Sequence, residues 1–227
     1  MKKTVAAIVP AAGSSSRMGG ISKIFAPVNG LPLIGYTLCA LESCNAIDEI
    51  IITAQDKDIS PIAALCRELG LCKVSKVLRG GETRSLSVMI GLIETNAHFA
   101  AIHDGARPCV SPAMCHALIK KAIETRAAIP VLPLTDSVKT CQDNIVTKSL
   151  DRSALFSVQT PQCFDTGLVK GALARVLRDG LEITDDAAAV EALPYPVSIL
   201  PGDTRNIKVT TPLDLEIVSL FLKGGCV

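Results

Sequence analysis

What most limits the fold of this chain is an alternation, in which apolar runs of strand length are separated by segments whose apolar residues recur at three- and four-residue steps. Val5 to Pro10, Glu49 to Ala54, Lys73 to Leu78, Ala100 to His103 and Ala128 to Pro133 read as strands. Leu33 to Glu42, Pro61 to Leu69, Arg84 to Glu94 and Pro112 to Arg126 read as the helices between them. Such an order predicts an α/β fold with a mainly parallel central sheet covered by helices on both faces. Ligands of these sheets collect beyond the carboxyl ends of the strands, which points to the loops after Pro10, Leu78 and His103.

The rhythm changes after Pro133. Ser137 to Thr140, Ile145 to Leu150 and Phe156 to Gln159 are short β-like pieces around the turn Gln142-Asp-Asn144, so residues 136–160 are expected to project from the sheet as an arm. Helical patterns return at Gly167 to Arg178 and Asp185 to Leu193, then a strand at Val197 to Leu200 and a last helix from Pro212 to Leu222. A length of 227 residues suits one domain of this kind.

A formal net charge of +1 with no long basic block gives no electrostatic grip on nucleic acid or an anionic membrane. No stretch approaches the roughly 18 apolar residues that span a bilayer. Lys2-Lys3 followed by an apolar run resembles a signal peptide, but the run is short and leads straight into a glycine loop, as a buried first strand does. Nine cysteines, without a CxxC pair or zinc spacing, read as reduced thiols of a cytoplasmic protein.

Three loops carry the chemistry. Pro10-Ala11-Ala12-Gly13-Ser-Ser-Ser-Arg17-Met18 joins backbone amides around a glycine to a fixed cation, and Lys23 follows it, a combination suited to a polyphosphate. It is neither a P-loop nor a dinucleotide fingerprint, and a solvated surface loop is the competing reading. Gly80-Gly81-Glu82-Thr83-Arg84-Ser85-Leu-Ser87 closes a strand and opens a helix, giving flexible backbone and polar groups for a base, or only a capped junction. In His103-Asp104-Gly105-Ala106-Arg107-Pro108, Asp104 sits where a carboxylate could bind magnesium, with an ordinary turn aspartate as the alternative. The histidines show no metal spacing, and His103 reads as structural. Thr184-Asp185-Asp186 reads first as a helix cap, and Lys208 alone as a surface charge.

Taken in order, VPAAGSSSRM, the Lys23 region, RGGETRSLSV, HDGARP, TDSVK, DRSALFSVQTPQ, ITDDAAAVE and NIKVTTPLDL resemble the 2-C-methyl-D-erythritol 4-phosphate cytidylyltransferases over nearly the whole chain. The resemblance implies a Rossmann-like nucleotidyltransferase fold, a homodimer formed through the arm, and transfer of a cytidylyl group from CTP to 2-C-methyl-D-erythritol 4-phosphate with magnesium as cofactor. It implies that CTP meets Pro10, Ala11, Ala12, Gly13, Arg17, Lys23, Gly81, Glu82, Arg84, Ser87 and Gly105. It places the acceptor against Asp104, Arg107, Ser137, Arg152, Thr160, Thr184 and Lys208, with Asp104 also on the metal and Arg152 serving the partner's site. Arg17, Lys23, Arg152 and Lys208 are the residues it makes catalytic.

The chain departs from the family pattern at three serines where a second glycine is usual and at Ser22-Lys23-Ile24 where Pro-Lys-Gln is usual. Gly105, Glu82 and Ser137 replace a common alanine, aspartate and threonine. Ribitol 5-phosphate cytidylyltransferases share HD-x-x-RP and TPQ, yet generally begin with an Ala-Gly-Gly loop and lack the Asp151-Arg152 pair. A catalytically silent nucleotide-binding protein on the same fold is the alternative from another class.

Overall fold

The computed structural model describes residues 2–13 and 23–223. Along the chain come β1 (Val5–Pro10), β2 (Pro27–Val28), β3 (Leu31–Pro32), α1 (Leu33–Glu42), β4 (Glu49–Ala54), α2 (Asp56–Glu68) and β5 (Val74–Arg79). Then follow α3 (Arg84–Ile93), β6 (Phe99–Ile102), α4 (Pro112–Thr125), β7 (Ala127–Pro133), β8 (Val138–Gln142), β9 (Ile145–Leu150) and β10 (Phe156–Val158). The chain continues with β11 (Gln162–Asp165), α5 (Thr166–Asp179), α6 (Asp186–Glu191), β12 (Ser198–Pro201) and α7 (Pro212–Phe221).

Among the described residues, eight strands form the main sheet. β1 lies between β4 and β6, parallel to both, and β5 continues the parallel run beyond β4. Side chains of successive strand residues point to opposite faces, and here both faces are apolar. Val5, Ala7 and Val9 with Ile50 and Ile52 face α1, α2 and α4, where Leu38, Ile62 and Leu118 close one core layer. Ala6, Ile8 and Ile51 face α3, α5 and α6, where Val88, Leu173 and Val190 close the other. That two-sided burial is why β1 and β4 read as unbroken apolar runs.

The fold departs from the sequence pattern in the short β2–β3 pair, which the pattern does not predict, and in two further places. β11 lies where the pattern predicts no strand, and it runs antiparallel between β6 and β7, so the sheet is mixed. Helix α2 begins at Asp56, upstream of the Pro61 start expected from the pattern. Its acidic first turn, with Asp56 and Asp58, suits the positive end of the helix dipole, and Pro61 is carried in the second turn.

β8 and β9 pair with each other in a separate two-stranded sheet and are exposed along most of their length. Asp143 and Asn144 both take positive φ, 50° and 63°, as a tight hairpin turn requires. Among the described residues, Cys44, Cys66, Cys115 and Cys163 are buried free thiols, while Cys72 and Cys141 are exposed ones. No helix among the described residues is long and apolar enough to cross a membrane.

Candidate active site

The three loops singled out by the sequence converge at the carboxyl ends of β1, β5 and β6 and line a cleft of about 330 Å³. Pro10, Ala11, Ala12, Gly13 and Lys23 form one wall, Gly81, Glu82, Arg84 and Ser87 another, and Asp104, Gly105 and Lys208 the floor and far end. Arg17 lies outside the described residues.

Local hydrogen bonds fix each wall. The Ala11 N–H donates to Thr53 O at 2.7 Å and Gln55 Nε2 to Ala12 O at 3.1 Å, which anchors the first loop to β4 and the start of α2. Thr83 caps α3 by accepting the Leu86 N–H, and the buried Ser87 hydroxyl accepts the Gly81 N–H at 3.1 Å, so the second loop is held in a tight turn. A Cβ on Gly80 would fall 2.6 Å from Ala12 Cβ, too close for any side chain, so glycine is what lets the two loops touch. A Cβ on Gly105 would meet Ala11 and Val9 at an ordinary 3.5 Å, so the alanine usual in the family would fit there.

Asp104 is the electrostatic centre. Arg84 Nε donates to its Oδ1 at 3.0 Å, Lys208 Nζ reaches its Oδ2 at 2.8 Å, and Arg107 Nε stands 3.9 Å from Oδ2. Burial alone would favour the protonated acid, but Arg84 and then Lys208 hold the carboxyl well below the usual carboxylate range. Arg84 also reaches Asp186 Oδ2 at 2.8 Å, and Asp186 has no exposed side-chain surface.

Behind Asp104 lies a polar knot whose proton positions follow from its partners. His103 Nε2 is 3.1 Å from the Arg107 carbonyl, which can only accept, so Nε2 carries the hydrogen. Burial pushes the imidazole down to about 4, which keeps it neutral at pH 7, so Nδ1 accepts from the Thr160 hydroxyl at 3.1 Å. Thr160 Oγ1 in turn accepts the Asp104 N–H at 3.1 Å. His103 is therefore the structural residue the sequence suggested. Its neighbour Thr160 is buried and its hydroxyl is spent on this knot.

The other residues expected at the acceptor are placed differently. Arg107 is mostly buried, and its Nη1 donates to Asn206 O at 2.7 Å. Ser137, Arg152 and Thr184 are exposed and do not line the cleft. Arg152 sits just after the β8–β9 hairpin and donates to the Thr135 carbonyl. The cap of α6 is Asp185, which accepts the Ala188 N–H at 3.0 Å, with Thr184 preceding it.

The counter-ion role of Asp186 and the hydrogen bonds of the Thr160–His103 knot are what sequence reasoning missed, whereas Gly80 reads there only as flexible backbone. Asp186 lies within the ITDDAAAVE segment, but a cap and a buried counter-ion look alike in sequence. Among the described residues no cluster of three or more His, Cys, Asp or Glu could hold a metal by itself. The carboxylates lining the cleft are Asp104, whose two oxygens are met by Arg84 and Lys208, and Glu82, and one carboxylate completed by phosphate oxygens is a donor set of the kind magnesium takes.

A sequence model of the family described as 2-C-methyl-D-erythritol 4-phosphate cytidylyltransferase matches residues 5–224. Proteins of that name from Dehalococcoides mccartyi and Synechocystis sp. are similar to this chain. The first is 38% identical over 227 residues, covering 99% of both chains. The second is 36% identical over 219 residues, covering 95% of both. The crystal structure of the enzyme of that name from Thermus thermophilus superposes with a TM-score of 0.81 at 31% identity, covering 95% of this chain and 98% of that one. The 4-diphosphocytidyl-2C-methyl-D-erythritol synthase of Anaerococcus prevotii gives a TM-score of 0.86 at 28% identity, covering 97% of this chain and 96% of that one. With its three loops gathered at one cleft and the match running almost end to end, the chain belongs to the 2-C-methyl-D-erythritol 4-phosphate cytidylyltransferase family.

Proposed function

We propose that this cleft transfers the cytidylyl group of CTP to the phosphate of 2-C-methyl-D-erythritol 4-phosphate, releasing pyrophosphate and forming 4-diphosphocytidyl-2-C-methyl-D-erythritol, a step of non-mevalonate isoprenoid biosynthesis. The observation that carries the placement is the Asp104 cluster, with Arg84 and Lys208 on its two oxygens, facing the Pro10–Gly13 loop and Lys23 across one cleft.

CTP lies over the first loop and the Gly81–Ser87 segment, with Arg17 and Lys23 on its phosphates. The acceptor phosphate has a second pKa near 6 and is mostly dianionic at neutral pH, so it attacks the α-phosphorus without a general base. The environment of His103 supports this, since the imidazole is buried, neutral and engaged at both nitrogens. An in-line displacement then breaks the bond to the β-phosphate and pyrophosphate departs with the electron pair. What the chain supplies is positioning and compensation of charge, from Lys23 and Arg17 on the nucleotide side and from Lys208 and the arm's Arg152 on the acceptor side. Magnesium bound at Asp104 and the nucleotide phosphates would offset triphosphate charge.

The β8–β9 hairpin is the dimerisation arm in this reading, and it delivers Arg152 and Ser137 to the partner's cleft. Its support is the placement of both residues away from their own cleft, together with exposed Ile145 and Val146. A reducing cytoplasm suits the free thiols, of which Cys72 and Cys141 are exposed among the described residues. The test is Lys23→Ala, which should lower turnover by about 10²- to 10³-fold, the usual loss when one charge-stabilising group is removed, with an unchanged melting temperature. A Lys23→Ala enzyme with normal cytidylyl transfer would sink the assignment.

A further inference from the structure

Asp186 is a buried carboxyl that the proposed chemistry does not use; burial pushes its pKa up and the Arg84 guanidinium draws it back. It has no exposed side-chain surface and pairs with Arg84 at 2.8 Å. Beyond Arg84, neither of its carboxylate oxygens has a hydrogen-bond partner among the described residues. A desolvated carboxylate with a single partner is costly to keep, because burial is offset only by that one charge. Packing does not account for it, since its neighbours Ala187, Ala189 and Val190 already fill the core layer below α3 and α5.

The geometry of Arg84 shows what the anion does. The guanidinium is divided, with its Nε on Asp104 Oδ1 at 3.0 Å and one terminal nitrogen on Asp186. Arg84 thus takes one oxygen of Asp104 and leaves the other to Lys208 at 2.8 Å. Without a second anion, the fork of Arg84 is free to close on both oxygens of Asp104, the bidentate geometry guanidinium prefers. Lys208 would then share Oδ2 with a second cation, whose repulsion shifts it from its present position. Arg84 is also the first residue of α3, directly after the loop that holds Gly81 and Glu82, so the same contact ties that loop to the floor of the cleft.

We propose that Asp186 is a positioning residue for the transfer. By holding Arg84 from the buried side, it keeps one oxygen of Asp104 open to Lys208 and so sets the cation that meets the acceptor phosphate. The inference rests on the assignment of Lys208 to the acceptor made above. It deepens that assignment by naming the buried charge that fixes the acceptor side.

Steady-state kinetics of the full-length protein, with CTP and the acceptor varied separately, test it. Asp186→Asn should raise the acceptor KM about tenfold or more, and by a larger factor than the CTP KM, because the cation it chiefly disturbs is Lys208. Asp186→Glu should recover most of the loss by restoring the carboxylate, and D186N/R84Q should have a lower acceptor KM than Asp186→Asn, because no guanidinium is left to close on Asp104. A merely structural role would lower thermal stability and the active fraction but leave both KM values in place. If Asp186→Asn does not fold, the double variant D186N/R84Q leaves no unpaired buried charge and is measured instead, with the same acceptor KM as Arg84→Gln expected. An acceptor KM in D186N/R84Q that differs from that of Arg84→Gln, or a Glu variant no better than Asn, would overturn the proposal. Lys208→Met separates the two layers. If it leaves the acceptor KM unchanged, the acceptor assignment itself has failed; if it raises that KM while Asp186→Asn does not, only the positioning role has.

Discussion

In the cleft, charged and polar groups find their partners within the chain. Asp104 is met by Arg84 and Lys208, Arg84 by Asp186, and His103 by Thr160 and the Arg107 carbonyl. In the β8–β9 hairpin the balance is reversed, since Ile145 is 68% and Val146 58% exposed, and the strands pair only with each other. A two-stranded hairpin with uncovered apolar residues is marginal by itself, which is the signature of a segment that is completed by contact with something else. One chain thus assembles the nucleotide side and the Asp104 cluster, whereas in the proposed reading Arg152 and Ser137, carried by the hairpin region, act where a second copy brings them.

The contrast breaks most sharply at Asp104. Asp104→Asn removes the anion that Arg84, Lys208 and Arg107 share, and should cost about 10²- to 10³-fold in kcat/KM for the acceptor, together with a lower melting temperature because buried cations lose their partner. Rates within threefold of wild type would break the claim that this carboxylate organises the site.

The next effect tests whether the two regions belong to different chains. Arg152→Ala and Lys208→Ala should each lose about 10²-fold in activity. Mixed and allowed to exchange subunits, they should regain about a quarter of the wild-type rate, because each hybrid dimer has one site with both residues intact. A mixture no more active than its components would place Arg152 in its own chain's site or outside catalysis. Ile145→Asp with Val146→Asp should halve the solution mass and raise the acceptor KM with little change for CTP. A pair variant of unchanged mass would remove the hairpin from the interface.

A smaller effect sharpens the account of the knot behind Asp104. Burial holds folded His103 near 4 against an ordinary 6.5, so between those pH values the unfolded chain binds a proton that the folded chain does not. Stability therefore falls as pH drops through this window, by up to about 1.4 kcal/mol per pH unit from this group. Urea melts at pH 7 and 4.5 should show the loss, and His103→Gln should reduce it; an equal slope in the variant would contradict the neutral, buried imidazole. Smallest is Ser137→Ala, expected to change the acceptor KM only about twofold to fivefold, since Ser137 offers one neutral hydrogen bond.

How much of this is legible in the sequence depends on range. β1, β4 and α1 are readable to the residue because two-sided burial demands unbroken apolar runs and because α1 carries a regular apolar face. β11 is not, because its four residues follow Pro161 and owe their strand state to pairing with β6 and β7, far away in sequence. The three loops can be named from glycine and charge, but only as anion sites, and their roles come through the family resemblance. Lys208 reads alone as a solvated charge, since nothing local reveals that it meets Asp104, 104 positions earlier. Asp186 hides for a related reason: next to the true cap Asp185, it looks like helix-start chemistry.

The central claim is that this cleft joins CTP to a methylerythritol phosphate. Its most direct test is pyrophosphate release by the purified protein with CTP and magnesium, offered 2-C-methyl-D-erythritol 4-phosphate or ribitol 5-phosphate in turn. Rapid release with the first and little with the second is predicted. Release that favours ribitol 5-phosphate, or CTP binding with no release for either, would contradict it.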